Sequence, residues 1–179
     1  MKRLLLILIA MIPIIETCGT MSKAVPAAGP ESVSVPEYAG PKGNLIYCSF
    51  SETRHGGLGK DYCELVADPG TVPVVHVRMN VGNDLDPEDN SHKGDYNVKE
   101  KTVKDLQQKL ADAKVYELNG YSLDEMLCGG ATYRIYMEYS SGESVNATWF
   151  GHDVKPEAVS AYSMIREFFE PWIKKCCSH

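Results

Sequence analysis

The chain predicts an α+β domain: an antiparallel sheet of about five strands with two helices packed on one face, in the order strands, helix, hairpin, helix. Two adjacent segments show strand alternation. Tyr133, Ile135, Met137 and Tyr139 alternate with Arg134, Tyr136 and Glu138, and Val145, Ala147 and Trp149 alternate with Ser144, Asn146 and Thr148. Directly after them, Ala158, Ala161, Tyr162, Ile165, Phe168, Phe169 and Trp172 recur at helical spacing. Before them, three shorter strand patterns lead into another amphipathic helix.

The chain opens on Met1-Lys2-Arg3, followed by an apolar run from Leu4 to Ile15 that Pro13 interrupts. That run is short for a membrane span and fits a secretory signal. Ile15-Glu16-Thr17-Cys18 closes it and resembles the lipobox of bacterial lipoproteins, in which the cysteine is lipidated and becomes the new N-terminus. Ile15 suits the pattern; Glu16 and Thr17 depart from it. Residues 1–18 are therefore expected to be a lipoprotein-type signal ending at Cys18. Residues 19–43 hold Pro26, Pro30, Pro36 and Pro41 among Ala, Ser and Gly, without hydrophobic periodicity, and read as a flexible tether. A coil of that length reaches on the order of 25–30 Å. Residues 44–179 are long enough for a core of their own and form the single domain.

Within the domain, Leu45 to Ser51 is a strand with Ile46, Cys48 and Phe50 on one face. Asp61 to Ala67 is a second, with Cys63, Leu65 and Ala67 sharing a face. Asp68-Pro69-Gly70-Thr71 is a turn. Val72 to Met79 is a third strand with Val75, Val77 and Met79 inward and His76 and Arg78 outward; Pro73 puts its start at an edge or outside the ladder. Asn80 to Tyr96 reads as a long polar loop. Asn97, with Glu100 three residues on, forms a capping box for a helix whose buried stripe is Val103, Leu106, Leu110 and Ala113.

The hairpin register follows from its apolar face. A two-residue Ser141-Gly142 turn would set Met137 against Asn146 and Ile135 against Thr148. A three-residue loop with a left-handed Gly142 shifts the register by one, so that Tyr133 faces Trp149, Ile135 faces Ala147 and Met137 faces Val145. The closing helix begins at Pro156, with Asp153 as its cap, and ends or kinks before Pro171, leaving a loose tail.

Val115-Tyr116-Glu117-Leu118-Asn119-Gly120-Tyr121, Gly130, the alternation Tyr133, Ile135, Met137, Tyr139, then Gly142, Ala147 and Phe168-Phe169 resemble a family of uncharacterised bacterial proteins. Many of these are envelope lipoproteins of the kind found in Bacteroidetes. The resemblance spans Leu45 to Trp172 and implies a fold order and an envelope location. It brings no catalytic residue with it.

The net charge of -6, without a basic run, argues against nucleic acid. Of the six cysteines, Cys48 and Cys63 lie inward on strands that neighbour each other; they are read either as a disulfide or as two buried thiols. Cys128 could pair with Cys176 or Cys177. A metal on Cys176, Cys177 and His179 lacks the spacing of structural zinc sites. Asn83, Asp84, Asp86, Glu88 and Asp89 could offer oxygens to calcium, but Pro87 and Asp89 break the EF-hand pattern. Arg54 to Asp61 fails as a phosphate loop at both ends. A Cys–His nucleophile would need Cys48, Cys63 or Cys128 beside His76 or His152. Tyr136, Arg134 and Asn146 share the hairpin's outer face and form a candidate binding surface. The expectation is a membrane-anchored envelope lipoprotein, held to the membrane through its N-terminal lipid and facing the periplasm or exterior. Its domain is a non-catalytic binding or interaction module for an envelope protein partner, with no cofactor. A Cys/His-dependent envelope enzyme and a calcium-stabilised module are the alternatives.

Overall fold

The computed structural model describes residues 40–54, 59–80, 92–123, 130–151 and 154–178. The chain divides into two units, Met1–Glu37 and Tyr38–His179, and all described residues belong to the second. Its elements are β1 (Leu45–Arg54), β2 (Lys60–Val66), β3 (Val74–Met79), β4 (His92–Asn97), α1 (Glu100–Asp112), a 3-10 turn (Val115–Leu118), β5 (Ser122–Leu123), β6 (Ala131–Tyr139), β7 (Ser144–Phe150) and α2 (Pro156–Cys177). The strands form one sheet in the order β4-β3-β2-β1-β6-β7-β5. Every pairing is antiparallel except β5 with β7.

The hairpin has the expected register: Tyr133 opposite Trp149, Ile135 opposite Ala147, Met137 opposite Val145. Its turn closes with the Gly142 amide donating to the Tyr139 carbonyl at 2.8 Å and the Tyr139 amide donating to Glu143 at 2.9 Å. Gly142 has φ +86°, a backbone state costly for any side chain. One face of the sheet thus carries Cys48, Phe50, Cys63, Leu65, Val75, Val77, Ile135, Met137 and Ala147, and both helices bury their stripes in the same core. No described helix packs on the other face.

Several expectations are corrected. Among the described residues the sheet has seven strands, not about five. β4 runs through the end of the expected loop: His92, Gly94 and Tyr96 point inward in alternation, while Lys93 and Asp95 point out. Its glycine and charges hide the pattern from a hydrophobicity reading. A Cβ at Gly94 would sit 2.5 Å from the Tyr96 hydroxyl, so a larger residue there would push that ring aside. β5 is a two-residue strand held by backbone bonds to β7, with Gly120 donating to Asn146 at 2.9 Å and Thr148 donating to Tyr121 at 3.0 Å. In β1 the core takes Leu45 rather than Ile46, because an irregularity between Leu45 and Tyr47 switches the alternation.

The capping box does not form. Asn97 is consumed by β4, where it pairs with Val74, and Lys99 takes the cap position of α1 without a side-chain bond. Ala113 is the exposed C-cap rather than part of the stripe. At α2 the cap position falls to Lys155, again without a side-chain bond; Asp153 lies outside the described residues. The helix also runs through Pro171 to Cys177 rather than loosening there. Proline removes one backbone donor on an exposed turn, whereas Ile173 and Cys176 beyond it are buried to 8% and 7% exposure. Burial of that last stretch outweighs the lost bond.

Phe169 is fully buried, in ring contact with Phe50 at 5.6 Å, so it joins α2 to the middle of the sheet. Phe169→Ala is expected to lower the unfolding free energy by about 3–5 kcal/mol. Arg134→Ala, on the open face, should change it by no more than about 0.5 kcal/mol. Urea denaturation of the two variants checks both.

Candidate functional site

Strand alternation carries two acids onto the face that otherwise builds the core. Two residues beyond Phe50, Glu52 points inward; two before Cys63, so does Asp61. The β1–β2 register sets them opposite one another, and Glu52 also faces Tyr133 on β6, which faces Trp149. Charged groups on this face must be paired or solvated. Asp61, with a side chain 5% exposed, accepts the Asn80 amide at 3.0 Å and a bond from Arg54. Glu52 accepts the Tyr162 hydroxyl at 3.1 Å and lies 3.4 Å from Arg54 Nε. The Arg54 guanidinium therefore bridges both acids. Burial pushes the Asp61 carboxyl above the usual carboxylate range, opposed by the Asn80 bond and by Arg54. Burial, then the nearby Glu52 charge, push the Tyr162 hydroxyl up.

α2 covers this end of the sheet. Tyr162 makes edge contacts with Tyr133 at 5.1 Å, Phe50 at 5.5 Å and Trp149 at 6.0 Å, and Tyr133 stacks on Trp149 at 6.0 Å. One turn further along the helix is Arg166. Between the rings and the helix lies an open cleft of about 400 Å³, lined by Glu52, Tyr133, Trp149, Val154, Val159, Tyr162 and Arg166. Val159 is 50% exposed. An apolar, aromatic wall with a few placed charges is the usual make-up of a small-ligand site. Next to Asp61, Asn80 is buried, and among the described residues its side-chain amide nitrogen has no hydrogen-bond partner. Gly59, at φ +94°, keeps clear of that group; a Cβ would come within 2.3 Å of it.

The outer face of the hairpin is different. Arg134, Tyr136 and Asn146 do come together: Arg134 Nε donates to Asn146 Oδ1 at 3.2 Å and its guanidinium lies 5.6 Å from the Tyr136 ring centre. The Tyr136 hydroxyl donates to Glu138. Next to them Tyr47 and Tyr62 each donate to Glu64 at 2.6 Å. These polar groups satisfy one another, whereas the cleft exposes apolar surface beside charge.

The cysteine chemistry is also placed. Cys48 lies opposite Leu65 and Cys63 opposite Phe50, so the two are diagonal neighbours. Diagonal Cβ atoms lie about 7–8 Å apart or somewhat less, against about 3.5–4.5 Å in a disulfide. Both are free thiols in the structure, as are Cys176 and Cys177. Burial pushes the Cys48 and Cys63 thiols up to about 12. Pairing either with His76 is overturned: His76 faces the opposite side of the sheet, where its Nδ1 lies 2.7 Å from Asp95. Cys18, Asn83 to Asp89, Cys128, His152 and His179 lie outside the described residues. Among the described residues no three His, Cys, Asp or Glu side chains are grouped to hold a metal ion, and no helix is long and apolar enough to cross a membrane.

The cleft was not anticipated from the sequence. Its signal was present in the alternation itself, which, carried past Phe50 and back from Cys63, turns Glu52 and Asp61 inward. No protein-family model matches the chain, and no curated protein matches it.

Because native Cys48 and Cys63 are buried with raised pKa values, iodoacetamide near pH 8 is expected to leave both unmodified until denaturant is added, whereas the exposed Cys177 is modified in the native protein; peptide mass mapping reads this out. Asp61 holds its proton more tightly in the folded state than in the unfolded chain. Its contribution to stability is therefore present at low pH and declines as pH rises from about 4 through its raised folded value. The stability difference between wild type and Asp61→Asn, measured by denaturation across that range, should move against the wild type as pH rises.

Proposed function

We propose that this is a lipid-anchored envelope protein whose domain is a non-catalytic binding module, and that the cleft beneath α2 is where it binds. The observation that carries the binding reading is the cleft itself: the partly exposed Tyr133, Val154 and Val159 beside Glu52 and Arg166. An enzyme working through Cys48 or Cys63 would need a thiolate, and burial holds both thiols protonated. The anchor reading rests on the basic start, the apolar run and Cys18, followed by the proline-rich tether. On the same reading the chain groups with the uncharacterised envelope lipoproteins that its hairpin and closing helix resemble, and its partner is an envelope protein.

Mass spectrometry of the protein from native membranes is expected to find lipid on Cys18 as the new N-terminus. Cys18→Ser should move the protein to the soluble fraction; retention on the membrane with unchanged processing defeats the anchor. Val159→Arg, which fills the cleft from an exposed position, should leave folding intact and abolish crosslinking to the partner that the wild type captures in the envelope.

A further inference from the structure

The acids around the cleft are directly paired, and one of the cations is not. Both acids are already satisfied: Asp61 by Arg54 and the Asn80 amide, Glu52 by Arg54 and the Tyr162 hydroxyl. Arg166 is different. Among the described residues it has no ion pair within 4 Å and no hydrogen bond, yet its charge is felt at Asp61, Tyr133 and Tyr162, so it leans over the cleft. A second cation stands nearby, with Lys155 Nζ lying 4.9 Å from the Tyr121 ring centre and Tyr121 packing on Trp149 at 6.4 Å. On a chain of net charge -6, this cleft offers a guanidinium with no described carboxylate within 4 Å of it.

The apolar half of the site gives the rest of the ligand. Val159 and Val154 line the cleft beside Arg166, and Val159 is half exposed. A cavity of about 150 Å³ already takes a benzene ring, so about 400 Å³ has room for one aromatic or branched side chain and its backbone. A guanidinium fork matches a planar carboxylate in a two-bond arrangement. From these features we infer that the cleft binds the C-terminus of a peptide chain, its α-carboxylate on Arg166 and an apolar last side chain against Val154 and Val159. Capture of a terminal carboxylate beside a side-chain pocket is an established mode of peptide recognition. The inference rests on the cleft being the binding site and adds the class of its ligand.

Calorimetric titration with acetyl-Ala-Ala-Phe carrying a free carboxylate tests it, alongside the same peptide as its C-terminal amide. The acid should bind, and the amide should bind at least about tenfold more weakly. Arg166→Gln should weaken the acid by a similar factor without altering thermal melting, since Arg166 is exposed. Arg166→Lys should recover part of the loss. Equal binding of acid and amide, or an unaffected Arg166→Gln, would overturn the carboxylate assignment while leaving the cleft a binding site. Octanoate binding as tightly as the peptide would overturn the peptide assignment in favour of a free acyl acid. If the acid fails while tetramethylammonium or maltose binds, and Val159→Arg abolishes that binding, the ligand class falls and the cleft stands. If no probe binds, both the ligand class and the binding site fall.

Discussion

The structure depends on the two-sidedness of β1. It is the fourth strand of seven and hydrogen-bonded on both edges, to β2 and to β6. With β1 in place, Phe50 lies between Cys63 and Ile135, and Ile135 in turn faces Ala147, so one register commits four strands to a common inner face. A slip of one residue would turn Phe50 outward and Ser51 inward. The helices cover the surface that this register creates. The side chain of Gln107 on α1 fastens the start of β1, accepting the Leu45 amide and donating to the Gly43 carbonyl, both at 2.9 Å.

The same alternation that builds the core also builds the cleft. Along β1 the inward positions read Cys48, Phe50 and Glu52, so the strand passes from buried thiol through aromatic ring to carboxylate without changing face. At that end α2 supplies Tyr162 and Arg166 in place of aliphatic side chains. Core and site are one surface, graded from apolar to charged. The shared guanidinium of Arg54 keeps the two inward acids compatible with it, although burial still outweighs that pairing and raises the Asp61 pKa.

What was legible in the sequence was whatever hydrophobic spacing states directly. The β6–β7 register followed from Tyr133, Ile135 and Met137 having only one apolar set of partners. The α2 stripe followed from its spacing. β4 was hidden because its inward residues are His92, Gly94 and Tyr96, of which only the last is large and partly apolar. The caps failed because Asn97, a good cap by chemistry, was already claimed by a β-ladder. Pro171 was misread because a local rule about one backbone donor was not weighed against the burial of Ile173 and Cys176. The cleft was missed because acids in a strand pattern mark its boundary to a hydrophobicity reading, whereas Glu52 and Asp61 lie inside the paired segments.

The placement of β1 has a mechanical meaning. The strand begins at Leu45, and the cleft opens beside Glu52, about 23 Å further along it at roughly 3.3 Å per residue. Tension between those two points runs along a central strand whose ladder bonds lie across the direction of pull. Such a strand is loaded in shear, its bonds to β2 and β6 resisting together, rather than peeled open one pair at a time as an edge strand would be. Force reaching Glu52 at the edge of the cleft would therefore be shared across both ladders of β1.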